Sequence, residues 1–565
     1  VSKRILVVGG VAGGASTAAR TRRIDESAEV IMFERGPNVS FSNCALPFHL
    51  SGIVEKSEDL VLMCPEQFKN QYNIEARVNS EVIKINREEK NIVVKNLETG
   101  KEYEESYDKL VLSPGANAIL PRSIKGINGD NVFTVRNVVD IKKLNDYIIK
   151  NNIEDIAVVG GGFIGVEVAE NLRLADKNVS LIEAQDQIMA PFDYDMAQIL
   201  HKEMMDKGVN LILSDGVQKI NEDSVELQSG KKIKAKALVM AIGVSPETKL
   251  AVDAGLEIGE TRAIKVDHNY LTSDKDIYAV GDAIEVYNRL THKPSRLALA
   301  GPAQRQARAA ADHMYGKSHR NNGVIGSSVV QIFDIGAAST GLNEKQAKSA
   351  GIKYDIVYTI PGDKVGLMPE SNPMHFKLLY EYPTGKILGA QAIGKGNVDK
   401  RIDVIATMIL MGGNLEDLKE LELCYAPLFG TAKDVVNHTA LVGLNLLNGV
   451  FKQIPVTKVR ELVENNEFII DVREEDEYKE GHLKNAVNIP LSQIRNRLDE
   501  IPKDRPVYLH CRSSQRSYNA IMALQNMGYD NVVNISGSYL GISVYEYFQD
   551  QVTGREKIVT EYNFN

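Results

Sequence analysis

Two of the four cysteines sit in surroundings suited to sulfur chemistry. Cys44 stands in VSFSNCALPF (Val39 to Phe48), between small polar residues and an apolar Ala-Leu-Pro-Phe run. A redox thiol with no second cysteine close by stores its oxidising equivalent as a sulfenic acid or as a mixed disulfide with a small thiol. Cys511 opens CRSSQR, directly after the strand-like Val507-Tyr-Leu-His510 and ahead of a helix-like segment. Such a loop turns its amides inward around the sulfur. With the helix N-terminus and the Arg516 guanidinium it stabilises a thiolate or persulfide anion. A phosphatase loop looks similar, but its arginine falls one position further on. Cys64 lies in an apolar Val-Leu-Met-Cys-Pro setting and reads as a core thiol, and Cys424 precedes Tyr425. There is no CxxC pair and no histidine spacing of the zinc type, so no disulfide framework and no metal site are expected. The expected setting is reducing and cytoplasmic.

These thiols need electrons, and two glycine-rich turns point to a source. Residues 4–20, RILVVGGVAGGASTAAR, are an apolar run, a turn and an alanine-rich helix, followed by Val30-Ile-Met-Phe-Glu34. The pattern returns in IAVVGGGFIG, ending at Gly165, followed by VSLIE, ending at Glu183. In each β-turn-α-β unit the glycines let the backbone approach a pyrophosphate at the helix N-terminus, and the distal acid accepts hydrogen bonds from a ribose. The second copy has all three glycines of G-x-G-x-x-G, at Gly160, Gly162 and Gly165; the first opens with Gly9 but has Val11 where the middle glycine should be. Two dinucleotides are implied, with electrons passing between them. A carboxylate at Glu183 repels a 2'-phosphate, so NADH is expected over NADPH.

A chain of 565 residues is too long for one core and implies three or four domains. Its formal charge of -9 argues against a nucleic-acid partner. No apolar run reaches the roughly 18 residues of a membrane span. With the strand-like Arg4–Val8 so near the first residue given, no signal peptide is expected.

Thr272-Ser-Asp-Lys-Asp-Ile-Tyr-Ala-Val-Gly-Asp282 resembles the second flavin fingerprint of the flavoprotein disulfide reductases. That resemblance implies FAD on Gly9, Gly13, Glu34, Ser113, Arg136 and Asp282, and NADH, with NADPH as the alternative, on Gly160, Gly162, Gly165 and Glu183. Most of that family carries a nearby pair of cysteines, whereas this chain has Cys44 alone. The stretch from Ser40 to Phe48 resembles the active-site motif of the coenzyme A disulfide reductases, and the motif order over residues 1–445 fits them. The resemblance implies Ser40 and Asn43 near the thiol end of coenzyme A. It also implies Arg20 and Arg23 on the coenzyme's phosphates, where a guanidinium binds in a bidentate way. Phe68 and Tyr72 are then its aromatic contacts. Leu423 to Asp434 resembles the segment in which a tyrosine of the partner subunit donates a proton, which makes Tyr425 the candidate and a homodimer the condition for activity. One departure stands out: Gly366-Leu-Met-Pro369 replaces the family's Gly-Tyr-Tyr-Pro, and Leu367 has no proton to give. Beyond a linker at 448–455, Asp471 to Pro490 resembles the rhodanese signature, with Cys511 and Arg516 as its catalytic residues.

The expected fold is α/β. Two Rossmann-like domains bind FAD (1–115 and 250–325) and NAD(P)H (116–249). They are followed by an α+β dimerisation domain (326–445) and a C-terminal α/β rhodanese domain (455–555). The expected activity is NADH-dependent reduction of coenzyme A disulfide, coenzyme A persulfide or polysulfide through Cys44, with sulfane sulfur handled at Cys511. The alternative is an NADH oxidase or peroxidase cycling through a sulfenic acid, with a non-catalytic rhodanese sensor module. No nucleic acid and no membrane is expected as a partner.

Overall fold

A computed structural model describes residues 2–564. The continuous apolar runs become strands buried on both faces, as parallel sheets require. Arg4–Val8 pairs in parallel with Glu29–Phe33 on one side and Lys109–Leu112 on the other. Ile277–Ala279 and Glu75–Arg77 complete this five-stranded sheet. A second five-stranded sheet is centred on Asp155–Val159, with Asn178–Ile182 and Ala237–Met240 as its parallel neighbours. In both, the central strand runs through a glycine turn into a helix, Ala12–Ile24 in one and Phe163–Leu174 in the other. Gly9 and Gly160 open the two turns at φ +94° and +110°, and a side chain on either would strike the next strand's backbone. Only glycine allows that approach.

The chain forms two compact units: residues up to Gln185 with Ile212–Val324, and Asp186–Leu211 with everything from Ile325 onward. Both dinucleotide sheets belong to the first. The second contains a five-stranded antiparallel sheet, in the order Ser328–Ile332, Ile335–Gly341, Ile387–Gly394, Met374–Glu381, Tyr354–Thr359. It also contains a parallel sheet ordered Lys452–Ile454, Val532–Ile535, Val507–His510, Phe468–Asp471, Ala486–Asn488.

The excursion Asp186–Leu211 interrupts the stretch 116–249 that the sequence reads as one domain. Its place in the second unit has an electrostatic cause. Lys377, fully buried on the antiparallel sheet, meets Asp193 at 3.1 Å, Asp195 at 2.8 Å and Glu344 at 2.5 Å. A buried ammonium is tolerated only with such partners. The excursion's helix, Tyr194–Asp206, also packs on Ser538–Thr553, where Tyr194 stands edge-on to Tyr545. Packing on the parallel sheet runs past residue 555: the Thr560 amide donates to the His482 carbonyl at 2.9 Å, and the Tyr562 hydroxyl to Asp550 at 2.6 Å. Among the described residues no helix is long and apolar enough to cross a membrane.

Candidate functional site

The first glycine turn opens onto a cleft of about 630 Å³, whose walls include Gly9, Gly13, Glu34, Ser113, Arg136 and Asp282. Glu34 is aimed by its own backbone, accepting from the amides of Gly10 (2.9 Å) and Gly36 (2.8 Å). A side chain on Gly13 would sit 2.5 Å from the Ser113 hydroxyl, so the helix start and the next strand touch only because glycine is there. Burial raises the Asp282 carboxyl and the nearby Arg136 opposes that shift. The second turn repeats the design. Glu183 accepts from the amides of Gly161 (2.7 Å) and Gln185 (2.8 Å), and a side chain at Gly162 would point into open space, where a ligand can approach the backbone. A cleft of this size, a glycine turn at a helix N-terminus and a pre-aimed carboxylate fit FAD at the first turn, and the second repeats the carboxylate and the open turn for NADH.

Cys44 lies in the 3-10 helix Asn43–His49 and is exposed, with Asn43 lining the cleft. Ser40, just ahead of it, turns the chain at φ +48°. Two helices hold this turn. Ser51 donates to the Asn171 side chain at 2.6 Å, and His49 pairs with the Val54 carbonyl at 2.9 Å and with the Asn145 side chain at 3.3 Å. Burial, followed by the charges of Glu167 and Asp282, pushes the Cys44 thiol up. The carboxylates around Cys44 thus disfavour its thiolate. Glu167 is itself pushed up to about 7 by burial and by Glu170.

The coenzyme residues read from sequence have separate fates. Arg20 is held at 2.6 Å by Asp312, which His319 also meets at 2.5 Å. Arg23 is exposed and lies over the Tyr72 ring, 5.6 Å from its centroid. Phe68 is corrected: the helix Pro65–Tyr72 turns it into the core, 2% exposed, because apolar neighbours such as Val39 and Ile74 surround it there. Tyr425 is 49% exposed in an irregular segment ahead of the helix Val435–Leu447, followed by exposed Leu428 and Phe429. Leu367 is exposed as well.

Cys511 follows the middle strand of the parallel sheet and is 1% exposed. Its loop is held from behind by the start of helix Ser538–Thr553. The Tyr539 amide donates to the Cys511 carbonyl (2.9 Å), the Leu540 amide to that of Arg512 (3.0 Å), and the Cys511 amide to the Ser538 hydroxyl (3.2 Å). Ser514 takes φ +76° and bonds the Ser538 hydroxyl at 3.0 Å. Beneath the loop, Arg473 grips Asp471 and lies over Tyr539, 4.1 Å from the ring centroid. Buried His510 stacks on the same ring. Arg516, read from sequence as an anion clamp, forms a two-pronged ion pair with Glu477 at 2.5 and 2.7 Å, which holds Glu477 below the usual carboxylate range. Sequence reasoning missed Glu477, Ser538, His49 and Glu167. Glu167 alone had a signal, as the first ionisable residue after Gly165 on a helix that starts at the cleft.

Dinucleotide turns on two parallel sheets, a lone cysteine beside them and a C-terminal sulfur loop define the class. The family model of pyridine nucleotide-disulphide oxidoreductases matches residues 3–307, their dimerisation domain residues 327–434, and the rhodanese-like domain residues 455–544. The chain belongs to the pyridine nucleotide-disulphide oxidoreductases and carries a C-terminal rhodanese domain. Within that class it groups with the coenzyme A disulfide reductases. It is 33% identical over 435 residues to "Coenzyme A disulfide reductase" of Staphylococcus epidermidis, covering 77% of this chain and 98% of that protein. Among solved structures it resembles the reduced CoADR-RHD of Bacillus anthracis, with a TM-score of 0.93, 43% identity, and 96% and 98% of the two chains covered. It also resembles an NAD-dependent persulfide reductase from A. fulgidus, with a TM-score of 0.91, 33% identity, and 96% and 100% covered.

Proposed function

We propose that this chain is an NADH-dependent flavoprotein that reduces sulfane sulfur, as coenzyme A persulfide or polysulfide, and coenzyme A disulfide at Cys44, with Cys511 as a persulfide carrier. One observation carries this reading: Cys44 is an exposed, solitary thiol next in sequence to Asn43, a residue of the dinucleotide cleft wall, and within reach of the charge of Asp282 in that cleft, in a chain that also retains a buried sulfur loop cysteine. With no cysteine partner in its turn, Cys44 must take its second sulfur from the substrate.

FAD supplies the path by which NADH electrons reach the sulfur. Glu34 and Glu183 orient the two riboses, and the glycine turns receive the pyrophosphates. The Cys44 thiolate attacks one sulfur of the acceptor, the acceptor's S–S bond breaks, and a mixed disulfide forms at Cys44. Two electrons then cleave that disulfide to the Cys44 thiolate and a free thiolate. At Cys511 a thiol RSH leaves as the outer sulfur of RS–SH moves to the enzyme, giving Cys511–S–S⁻. The loop amides and Arg516 balance that charge. We further propose a homodimer in which the partner subunit's Tyr425 protonates the thiolate freed when the mixed disulfide is cleaved, supported by the match to the dimerisation domain and by exposed Tyr425, Leu428 and Phe429. A cytoplasmic location suits four free cysteines.

The test is anaerobic NADH oxidation by the FAD-loaded protein with coenzyme A persulfide, polysulfide, coenzyme A disulfide and peroxide as parallel acceptors. The sulfane-sulfur acceptors are expected to turn over fastest, because Leu367 gives no hydroxyl to a coenzyme thiolate while Cys511 is intact. Fastest turnover of peroxide would overturn the reading in favour of sulfenic-acid cycling.

A further inference from the structure

The residues around Cys44 leave one group without an assignment. The helix Phe163–Leu174 packs directly on the 3-10 helix that carries Cys44, and the Ser51–Asn171 hydrogen bond pins the two together one turn from Glu167. Asn171 donates to the Glu167 backbone carbonyl at 2.8 Å, but the Glu167 carboxyl itself has no hydrogen-bond or ion-pair partner among the described residues. The other ionisable groups facing this spot are Asp282, His49 and Glu170. Asp282 lies in the first dinucleotide cleft under the influence of Arg136. Both ring nitrogens of His49 are taken, by Val54 and Asn145. Glu170, on Glu167's own helix, is buried and repels it. A half-buried carboxyl without a partner, beside a nucleophilic thiol, is placed to hold a proton.

We propose that Glu167 is the proton partner of Cys44, taking the thiol's proton as the thiolate forms and returning it to the thiolate that departs. In the first step Cys44–SH and Glu167–COO⁻ become Cys44–S⁻ and Glu167–COOH, so that one proton moves and no electrons do. In the second, the Cys44 thiolate displaces a thiolate from the substrate disulfide or persulfide, and that leaving group takes the proton from Glu167. The exchange answers the electrostatic problem at Cys44. A thiolate formed beside ionised Glu167 would put two anions together, whereas a thiolate formed as Glu167 becomes neutral keeps the pair at one negative charge. Glu167 titrating near 7 is therefore matched to a proton that must move in both directions near neutrality. This inference rests on the reading of Cys44 as the redox thiol.

The test is the pH profile of Cys44 alkylation by iodoacetamide in the reduced, FAD-loaded protein, resolved by peptide mass, with Glu167→Gln and Glu167→Asp alongside. A proton-sharing pair gives the wild type two steps. The rate rises to a plateau beginning near pH 7, where the tautomer with thiolate and neutral carboxyl holds a constant share, and rises again as the second proton leaves. Glu167→Gln is expected to show a single step, with faster alkylation above pH 7, and Glu167→Asp to restore the two-step form. Turnover with a disulfide or persulfide acceptor should fall about 10²-fold in Glu167→Gln, the usual scale for a lost proton donor, with thiosulfate sulfurtransfer at Cys511 unchanged. A single-step wild-type profile, or a two-step profile surviving in Glu167→Gln, overturns the proposal. A changed profile with unchanged turnover overturns the return of the proton to the leaving group. If Cys44 were not the redox thiol, Cys44→Ser would keep its reductase turnover, an outcome separate from any alkylation profile. Stability gives another readout. The folded carboxyl titrates near 7 against its ordinary 4.5, so its ionisation costs the wild type stability as pH rises through that window, and the temperature at which Glu167→Gln releases its flavin should gain on the wild type there.

Discussion

Cys44 and Cys511 are both proposed to handle sulfur, but their charged neighbours differ: carboxylates at Cys44, and at Cys511 an arginine held in an ion pair. Cys44 sits exposed on a turn held by neutral side chains, Ser51, Asn171 and Asn145, with the carboxylates of Glu167 and Asp282 pressing its thiol toward the protonated form. Cys511 is buried, with helix Gln515–Asn526 beginning four residues on and Arg516 within electrostatic reach, held in its ion pair with Glu477. The difference follows from the chemistry proposed for each. Cys44 spends its cycle in a mixed disulfide, which is neutral, and its thiolate is needed only at the moment of attack. Cys511 would carry an anionic persulfide for as long as it waits for an acceptor, and an anion that lasts needs standing positive charge.

The strongest way to break the comparison is to remove each sulfur in turn. Cys44→Ser is expected to lower NADH-dependent reduction of disulfide and persulfide by about 10³-fold or more, as loss of a covalent nucleophile does, and to leave thiosulfate sulfurtransfer intact. Cys511→Ser should do the reverse with coenzyme A disulfide as acceptor. Steady-state assays of both activities on both variants check this. Loss of both activities in either variant would mean that the two sites form one centre.

Charge itself is probed by comparing an anionic alkylating agent, iodoacetate, with neutral iodoacetamide at each cysteine, since the ratio cancels access. The ratio should be about tenfold higher at Cys511 than at Cys44, the scale of roughly 1.4 kcal/mol of field, and should shrink with salt. Glu477→Gln releases Arg516 from its ion pair and should raise the Cys511 ratio by a further factor of about 5, the equivalent of roughly 1 kcal/mol. Equal ratios at the two sites would end the electrostatic contrast.

The legible part of the molecule was whatever local sequence dictates. Both β-turn-α-β units were readable because glycine at Gly9 and Gly160 is demanded by backbone geometry, and the distal acids because a ribose needs them. The lone Cys44 and the sulfur loop were readable from a few neighbouring residues each. Contacts between distant stretches were not. Glu477 reaches Arg516 across 39 positions and Lys377 reaches Asp195 across 182, and neither pair leaves a periodic or spaced signature. Phe68 went the wrong way for a related reason: an aromatic at helical spacing looks the same whether it faces a ligand or a core. Helix Tyr194–Asp206 reads as part of its flanking dinucleotide stretch because nothing local shows that Asp193 and Asp195 are held by a lysine far along the chain.

The smallest effect tests how the Cys511 loop keeps its shape. Ser514 holds a left-handed backbone at φ +76°, a conformation that costs a residue with a side chain about 1 kcal/mol. Its hydroxyl answers by bonding Ser538, which in turn receives the Cys511 amide, and such a bond contributes about 1 kcal/mol. Ser514→Gly removes both terms and should leave the loop close to the wild type. Ser514→Ala keeps the strain and loses the bond, so it should be the weaker variant by about 1 kcal/mol. The readout is the temperature at which sulfurtransfer is lost, because a chain of several domains does not melt as one unit. Equal losses would show that the backbone conformation carries no strain and that the hydroxyl pair alone holds the loop. The expected order would show a loop held by a serine pair to the helix Ser538–Thr553, where the Cys44 turn is held by side chains of two dinucleotide-domain helices through Asn145 and Asn171.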